Sequence, residues 1–266
     1  MTAFDEAMAW REERAEDRQG GWEARFDEAW YQGRGAYGGV VAALFTRAFE
    51  RVVRAGRQPR TLTVHFCAPA TGSARLSARA EREGSYVSHL SGRLEQRGKT
   101  VAMALGTWGR DRTGGPALGE SSRPDAPPPE DVPVLPWLPG WPTFAQRFEF
   151  RPCLGQAPMS GASEARLGGW IRGAEPQRAD AAWVAALLDA WPPSALCLLS
   201  KPRPAASIDL SYHFFQPFPL DVPDDAFFLY DARSTVVQAG YAEERATLWD
   251  AEGRLVARVR QNVAII

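Results

Sequence analysis

The chain has 266 residues, which is enough for one large domain or two small ones. Its 45% hydrophobic and 24% charged residues are typical of an ordinary soluble globular protein. The 31 basic and 32 acidic residues nearly cancel, which excludes a strong electrostatic attraction to nucleic acid or to an anionic membrane. No run approaches about 18 apolar residues, so we predict no membrane span.

Cysteine and histidine usage gives no sign of a metal site or of a disulfide framework. The three cysteines are widely spaced: Cys67, Cys153 and Cys197. The three histidines are scattered as well: His65, His89 and His213. Residues 1–21 are charged and contain no apolar run of the kind that a signal peptide needs. We therefore predict a cytoplasmic protein in a reducing compartment, with no metal and no cofactor.

The first half is predicted to begin with a short surface helix over residues 6–18 and a strand over residues 22–32. A glycine elbow at residues 35–39 then precedes a buried helix over residues 40–53. Alternating apolar and polar residues predict four further strands, two of them joined by a hairpin turn at residues 98–99: 61–67, 73–83, 86–97 and 100–108.

The elbow contains three candidate residues for binding a ligand and stabilising an oxyanion: Tyr37, Gly38 and Gly39. Glycines let a ligand come close to the backbone, and the first N–H groups of a helix have no partner within the helix. Such a helix start favours an anion or a developing negative charge. The alternative is a plain tight turn into a core helix.

Residues 109–142 are rich in proline and are predicted to form an extended linker on the surface. The linker separates an N-terminal unit, residues 1–108, from a C-terminal unit, residues 143–266. In the second unit we predict a helix over residues 180–191. Six strands are predicted around it: 144–152, 164–172, 207–215, 226–234, 236–250 and 254–266.

The two units repeat each other. The segment Val-His-Phe-Cys-Ala-Pro around His65 matches Tyr-His-Phe-Phe-Gln-Pro around His213, which lies 148 positions later. Downstream, a Gly-basic-x-Val-Ala hairpin at Gly98 matches another at Gly253, 155 positions later. The shared order predicts a duplicated unit, a helix wrapped by a curved antiparallel sheet, and two such units form a pseudo-dimer. Chance similarity between amphipathic strands is the alternative.

These motifs resemble the acyl-CoA thioesterase II family. The aromatic-Gly-Gly that opens the first helix of that family is matched by Tyr37-Gly38-Gly39. The family also has an aromatic-x-x-Pro segment, which residues 66–69 match, and a Trp-x-Arg strand, which residues 170–172 match. Its Ile-Asp pair is matched by residues 208–209. Residues 84–88 match a further motif of the family loosely. The resemblance covers nearly the whole chain outside residues 1–20 and the linker. It implies an α+β double hotdog fold, with two tandem hotdog units whose sheets join.

The resemblance also implies hydrolysis of an acyl-CoA thioester by an Asp, a Gln and a Ser or Thr that hold and activate a water molecule. Carried over residue by residue, the acid is Asp209 and the amide is Gln261. The preferred candidate for the hydroxyl is Thr235, and the second candidate is Ser234. Both are kept because the alignment of that strand with the family can shift by one or two residues.

The residues themselves support part of this assignment. Alternation over residues 207–215 places Ile208 and Leu210 on one face and Asp209 on the other. A carboxylate in the middle of a strand is costly among apolar neighbours unless it is paired or functional. The repeat aligns Thr61 with Asp209 and Gly106 with Gln261, so one unit alone carries the acid and the amide. A solvent-facing carboxylate and a surface glutamine are the plain alternatives.

We therefore predict a hydrolase in which Asp209 takes a proton from water that Gln261 and the hydroxyl orient, while N–H groups near Gly38 and Gly39 hold the thioester oxygen. A fatty acyl-CoA is the predicted partner, and association into a homo-oligomer is left open. An acyl-ligand-binding protein without turnover and an interaction module are the alternatives. A hotdog dehydratase would need an Asp/His pair, but four strand positions put Asp209 and His213 about 13 Å apart.

Overall fold

The computed structural model describes residues 1–16, 18–116, 118–119 and 122–266. Within these residues twelve strands form one antiparallel sheet, and two very short strands form a separate pair. The strands are β1 (Trp10–Glu16), β2 (Gln19–Phe26), β3 (Tyr31–Gln32), β4 (Gly35–Ala36), β5 (Gln58–Phe66), β6 (Gly72–Glu83), β7 (Val87–Gln96), β8 (Lys99–Gly109), β9 (Phe148–Gly155), β10 (Ala165–Gly173), β11 (Ala205–Phe214), β12 (Phe228–Gln238), β13 (Tyr241–Trp249) and β14 (Leu255–Ile265). The α-helices are α1 (Ala3–Ala7), α2 (Gly38–Val52) and α3 (Ala181–Leu188).

The two halves of the chain meet at the centre of the large sheet, whose order is β1-β2-β6-β7-β8-β5-β11-β14-β13-β12-β10-β9. Strand β5 pairs there with β11, and Thr63 lies opposite Ser211 with the two hydroxyl oxygens 3.2 Å apart. These residues are 148 positions apart, which is the shift that relates the two repeats. A residue that faces its own repeat counterpart across antiparallel strands marks a local two-fold axis.

Helix α2 lies in the core between the sheet and α3. Its apolar residues recur at helical spacing, and both Phe45 and Phe49 are fully buried. The helix begins at Gly38, two residues before the predicted start, and ends at Val52. The prediction of a buried helix behind the glycine elbow is confirmed in position and in type.

Helix α3 is buried along its whole length. Asp180 caps its start by accepting the backbone N–H of Trp183 at 2.9 Å. The helix ends at Leu188, before the predicted residue 191. Two prolines follow, Pro192 and Pro193, which have no N–H to continue the helix and restrict the residue before them.

The predicted helix over residues 6–18 is wrong. Helix α1 ends at Ala7, and β1 follows it as an edge strand that pairs with β2, where Trp10 lies opposite Ala24. The rings of Trp10 and Trp22 lie 5.0 Å apart across these strands. Arg11 and Glu12 are exposed and suit a sheet edge, and a hairpin partner favours the strand.

The predicted strand break at residue 235 is also wrong. Strand β12 continues to Gln238, and the turn into β13 lies at Ala239 and Gly240, which both have positive φ. The register shifts between Ser234 and Val236, which is a β-bulge within a continuing ladder. A bulge inserts one unpaired residue without ending the strand.

Part of the proline-rich segment packs on the outer face of the C-terminal strands. Trp170 donates its indole N–H to the carbonyl of Pro127 at 2.8 Å, and Arg151 donates to the carbonyl of Pro129 at 2.6 Å. Val132 is buried against Trp170 and Leu229. This packing matches the expected surface course of the segment, while the unit boundaries at residues 108 and 143 stay predictions. Among the described residues, the helices are too short or too polar to cross a membrane.

Candidate active site

The glycine elbow at the start of α2 faces a buried carboxyl group. Tyr37 is the N-cap residue and gives the helix no side-chain cap. The backbone N–H of Gly39 is instead bonded by the carboxyl group of Asp189, which follows α3. A Cβ atom placed on Gly38 would lie 2.8 Å from Oδ2 of Asp189. The close approach therefore needs glycine at this position.

Asp189 lies in an environment that favours its neutral form. Its side chain is buried, and burial raises the pKa of Asp189 to about 8. The nearby carboxylate of Glu244 adds to the rise in this pKa, and the Gly39 N–H opposes it. Asp189 is therefore protonated in most molecules at pH 7 and can donate a proton.

Glu244 is the second buried acid, and it accepts hydrogen bonds from two neighbours. Gln261 donates its amide N–H to Oε1 of Glu244 at 2.6 Å, and the backbone N–H of Ser194 donates to Oε2. Burial raises the pKa of Glu244, while the hydrogen bonds from Ser194 and Gln261 oppose that rise. Ser207 in turn donates its hydroxyl to the amide oxygen of Gln261 at 2.7 Å, which fixes the orientation of the amide.

Strand register explains why these side chains meet. Residues opposite each other on antiparallel strands point to the same face of a sheet. One cross-strand row on β11, β14, β13 and β12 contains Leu210, Gln261, Glu244 and Ser234. The hydroxyl oxygens of Ser234 and Ser194 are 2.9 Å apart, so Ser234 joins the same network on the inner face.

The structure does not bring Asp209 into this network. The register of β11 shifts between Ser207 and Asp209, so that Ile208 is the extra residue of a bulge. Asp209 lies opposite Asn262 and His65, and its carboxylate accepts the backbone N–H of Asn262 at 3.0 Å. Ile208 is 37% exposed, contrary to the predicted apolar face, and Ser207 takes the inward position instead.

Thr235 is likewise placed outside the network. It is the unpaired residue of the bulge in β12, it is exposed, and its hydroxyl donates to Glu243 at 3.5 Å. Of the residues singled out by sequence, Gln261 bonds the buried Glu244 directly, and Ser234 joins the network through Ser194. Tyr37, Gly38 and Gly39 join them through Asp189, whereas Asp209 and Thr235 lie elsewhere.

The sequence contained a signal for both acids that was missed. Glu244 alternates with Ala242, Ala246 and Leu248, which are all buried, so strand periodicity places Glu244 on the inner face. Asp189 directly follows a helix that is apolar on every side. A carboxyl group on a buried face is unusual enough to indicate a functional site.

Comparison with known protein families agrees with this two-part arrangement. Residues 26–109 match the model of the acyl-CoA thioesterase N-terminal domain, and residues 129–265 match that of the acyl-CoA thioesterase C-terminal domain. The chain belongs to the acyl-CoA thioesterase family.

Solved structures show the same hotdog fold as this acyl-CoA thioesterase family member. A conserved hot dog fold protein of unknown function from Alicyclobacillus acidocaldarius is 27% identical, with a TM-score of 0.88 over 100% of this chain and 98% of that chain. The tesB protein of Mycobacterium avium subs paratuberculosis is 19% identical, with a TM-score of 0.80; the match covers 99% of this chain and 98% of that chain. Acyl-CoA thioesterase II TesB2 of Mycobacterium marinum is 19% identical, with a TM-score of 0.77; the match covers 99% of this chain and 98% of that chain. Comparison with curated proteins gives no match.

A concave region lies away from the elbow, on the outer face of the N-terminal strands of this thioesterase-family chain. This groove of about 520 Å³ is lined in part by His65, Arg79, Arg93, Met103 and Leu105. Its lining residues include no Asp or Glu, so the groove offers no carboxylate base. The buried acids at the elbow are therefore the better candidate for acyl-CoA thioesterase chemistry.

The elbow gives a testable stability prediction for this family member. Gly39→Ala should lower the free energy of unfolding by about 1–3 kcal/mol, because overpacking forces neighbours to move. The new Cβ would lie 2.5 Å from Cε2 of Tyr37 and 2.9 Å from the carbonyl oxygen of Ala186. Gly21→Ala is the control, since its Cβ would meet nothing within 4 Å. Equal urea midpoints for the two variants would contradict the prediction.

Proposed function

We propose that this chain is an acyl-CoA thioesterase that hydrolyses a fatty acyl-CoA to the free acid and coenzyme A. One observation carries the proposal. The N-terminus of α2, in the first half, meets the carboxyl group of Asp189 from the second half, and Glu244 with its partner Gln261 lies nearby. A helix start and a pair of buried acids are the parts that thioester hydrolysis needs, namely an oxyanion site and acid–base groups.

The proposed architecture is a double hotdog, in which residues 1–108 and 143–266 are the two units. The pairing of Thr63 with Ser211 supports this proposal, because it relates the halves by a local two-fold axis. Each half also contributes a helix, and α2 packs on α3. The site lies where the start of the first helix meets the end of the second, so neither unit would form it alone.

In the proposed reaction the thioester carbonyl oxygen lies at the N-terminus of α2. A water molecule held by Gln261 and Glu244 attacks the carbonyl carbon, and its proton passes to the carboxylate of Glu244. The oxygen becomes anionic and is stabilised by the backbone N–H group of Gly38 and by the helix dipole, while the Gly39 N–H stays bonded to Asp189. The carbon–sulfur bond then breaks as the carbonyl re-forms.

Asp189 is proposed to supply the proton to the leaving thiolate of coenzyme A. Burial favours the neutral form of Asp189, and Glu244, whose carboxylate accepts hydrogen bonds from Ser194 and Gln261, is proposed as the base. After release, Asp189 regains a proton and Glu244 loses one, so the net reaction consumes one water. Hydrogen bonds from Ser194 and Gln261 favour the carboxylate form of Glu244, which suits the two acids to these separate roles.

The remaining polar groups are proposed to position the water. The Ser207 hydroxyl donates to the amide oxygen of Gln261 and so fixes the orientation of that amide. The amide N–H of Gln261 then points to Glu244. Ser194 and Ser234 share a hydrogen bond beside the same carboxylate. Ser234 is therefore proposed as the hydroxyl of the site, in preference to Thr235, and Glu244 takes the role that the sequence assigned to Asp209.

Thiol release from a panel of acyl-CoA thioesters, from butyryl to palmitoyl, tests the proposal. We expect the wild-type chain to release coenzyme A from at least one of them. Failure to release thiol from any member would overturn the proposed activity. If acyl-CoA nevertheless raised the melting temperature, the chain would be a binding protein on the same scaffold.

A further inference from the structure

A continuous series of aromatic rings, here called the aromatic lane, runs from the protein surface to the buried acids. Its members are Phe4, Trp183, Phe148, Phe150, Trp191 and Tyr230. Successive ring centroids lie between 4.8 and 6.0 Å apart, which is contact distance for aromatic side chains. A branch from Phe4 passes through Trp30 to Tyr37, with centroid distances of 6.0 and 6.1 Å.

The inner ends of the lane reach the candidate active site. Tyr37 is the residue before the glycine elbow, and its hydroxyl donates to the carbonyl of Ala186 at 3.4 Å. Tyr230 is buried and lies close enough to Glu244 and Asp189 for both carboxyl groups to raise its pKa further, after burial. An acyl chain whose carbonyl lies at the elbow would therefore find apolar surface along the lane.

The outer end of the lane is closed by α1. Phe4 is the buried residue of this five-residue helix and is 3% exposed. The helix is held by a hydrogen bond from the Thr2 hydroxyl to Gln177 and by one from the backbone N–H of Ala3 to Glu175 at 2.9 Å.

Packing beneath α1 is incomplete. A cavity of about 30 Å³ lies there, lined in part by Phe4, Trp30, Trp183 and Gln177. The lane itself is filled by its own rings, so a long acyl chain needs a side chain to leave. Phe4 lies on the five-residue helix α1 and lines this cavity.

We propose that Phe4 determines the acyl chain length that this protein accepts, by occupying the distal end of the aromatic lane, along which the acyl chain would pack. This inference rests on the proposed function. A short chain leaves Phe4 in place, whereas a long chain must displace it. Each methylene group that is newly buried favours binding by about fourfold, so several methylenes can compensate for the loss of Phe4 from its pocket.

The test compares wild type with Phe4→Ala and with the milder Phe4→Leu. The ratio of kcat/KM for palmitoyl-CoA to that for butyryl-CoA should rise at least about tenfold in Phe4→Ala, and less in Phe4→Leu. Phe26→Ala is the matched control, because Phe26 is 4% exposed and, among the described residues, makes no ring contact with the lane. Its ratio should equal that of wild type.

Equilibrium binding separates this inference from the proposed function. Tryptophan fluorescence, to which Trp30 and Trp183 contribute, reports the dissociation constants of the same two acyl-CoA molecules without turnover. A wild type that binds but does not hydrolyse would overturn the thioesterase activity, and a shifted binding ratio in Phe4→Ala would still support the lane. Unchanged ratios in both folded Phe4 variants, by kinetics and by binding, would overturn the role of Phe4.

Discussion

Glu244→Gln is expected to lower kcat for acyl-CoA hydrolysis by about 100- to 10,000-fold, which is the usual contribution of general acid–base catalysis. Glutamine has nearly the same shape and retains an oxygen that can accept the backbone N–H of Ser194. It cannot accept a proton from water. Steady-state thiol release measures the loss, and a melting curve shows whether the variant is folded.

Two controls make this result specific. Glu243→Gln changes the adjacent residue of β13, which faces outward and pairs with Arg245 and Arg260. Asp209→Asn removes the acid that the sequence first suggested. Both variants should retain kcat within about twofold, as surface changes away from a site do. A large loss in Asp209→Asn with activity preserved in Glu244→Gln would show that the base is Asp209.

Asp189→Asn is expected to lower kcat by about 100-fold and to remove the alkaline limb of the pH profile. In wild type the acid form of Asp189 is the active form, so kcat should fall as pH rises through about 8. Asparagine can still accept the Gly39 N–H through its amide oxygen, and this keeps the cap on α2. A variant with the wild-type decline in kcat above pH 8 would contradict the role of Asp189 as proton donor.

The pH dependence of the free energy of unfolding should report the ionisation of Asp189 independently of activity. The pKa of Asp189 is raised from an unfolded value of about 3.9 to about 8 in the fold. Its contribution to the free energy of unfolding is fully present below pH of about 4 and is lost as pH rises towards 8, because the unfolded chain ionises first. The Asp189→Asn protein should therefore be less sensitive to pH over this window.

Much of the fold could be predicted from sequence because it depends on local periodicity. The spacing of apolar residues located α2, and the recurrence of the His-Phe segment 148 positions later indicated the duplication. Gln261 and, as the second choice of hydroxyl, Ser234 came instead from the resemblance to the acyl-CoA thioesterase II family, carried over residue by residue. The helix over residues 6–18 failed because a charged edge strand has no clear alternation, and its pairing with β2 decided its conformation.

The sequence by itself determined the duplicated helix-and-sheet unit, the glycine elbow and the amide of the site. The tertiary structure alone decided which acid meets that amide. Bulges at Ile208 and Thr235 each add one residue to a strand, and a shift of one residue turns every later side chain to the opposite face. The bulge at Ile208 turns Ser207 inward to Gln261 and leaves Asp209 on the outer face, beside the inward Leu210, while the undisturbed alternation of β13 carries Glu244 inward. Asp189 meets Gly39 only because α2 and α3, which are distant in sequence, pack against each other.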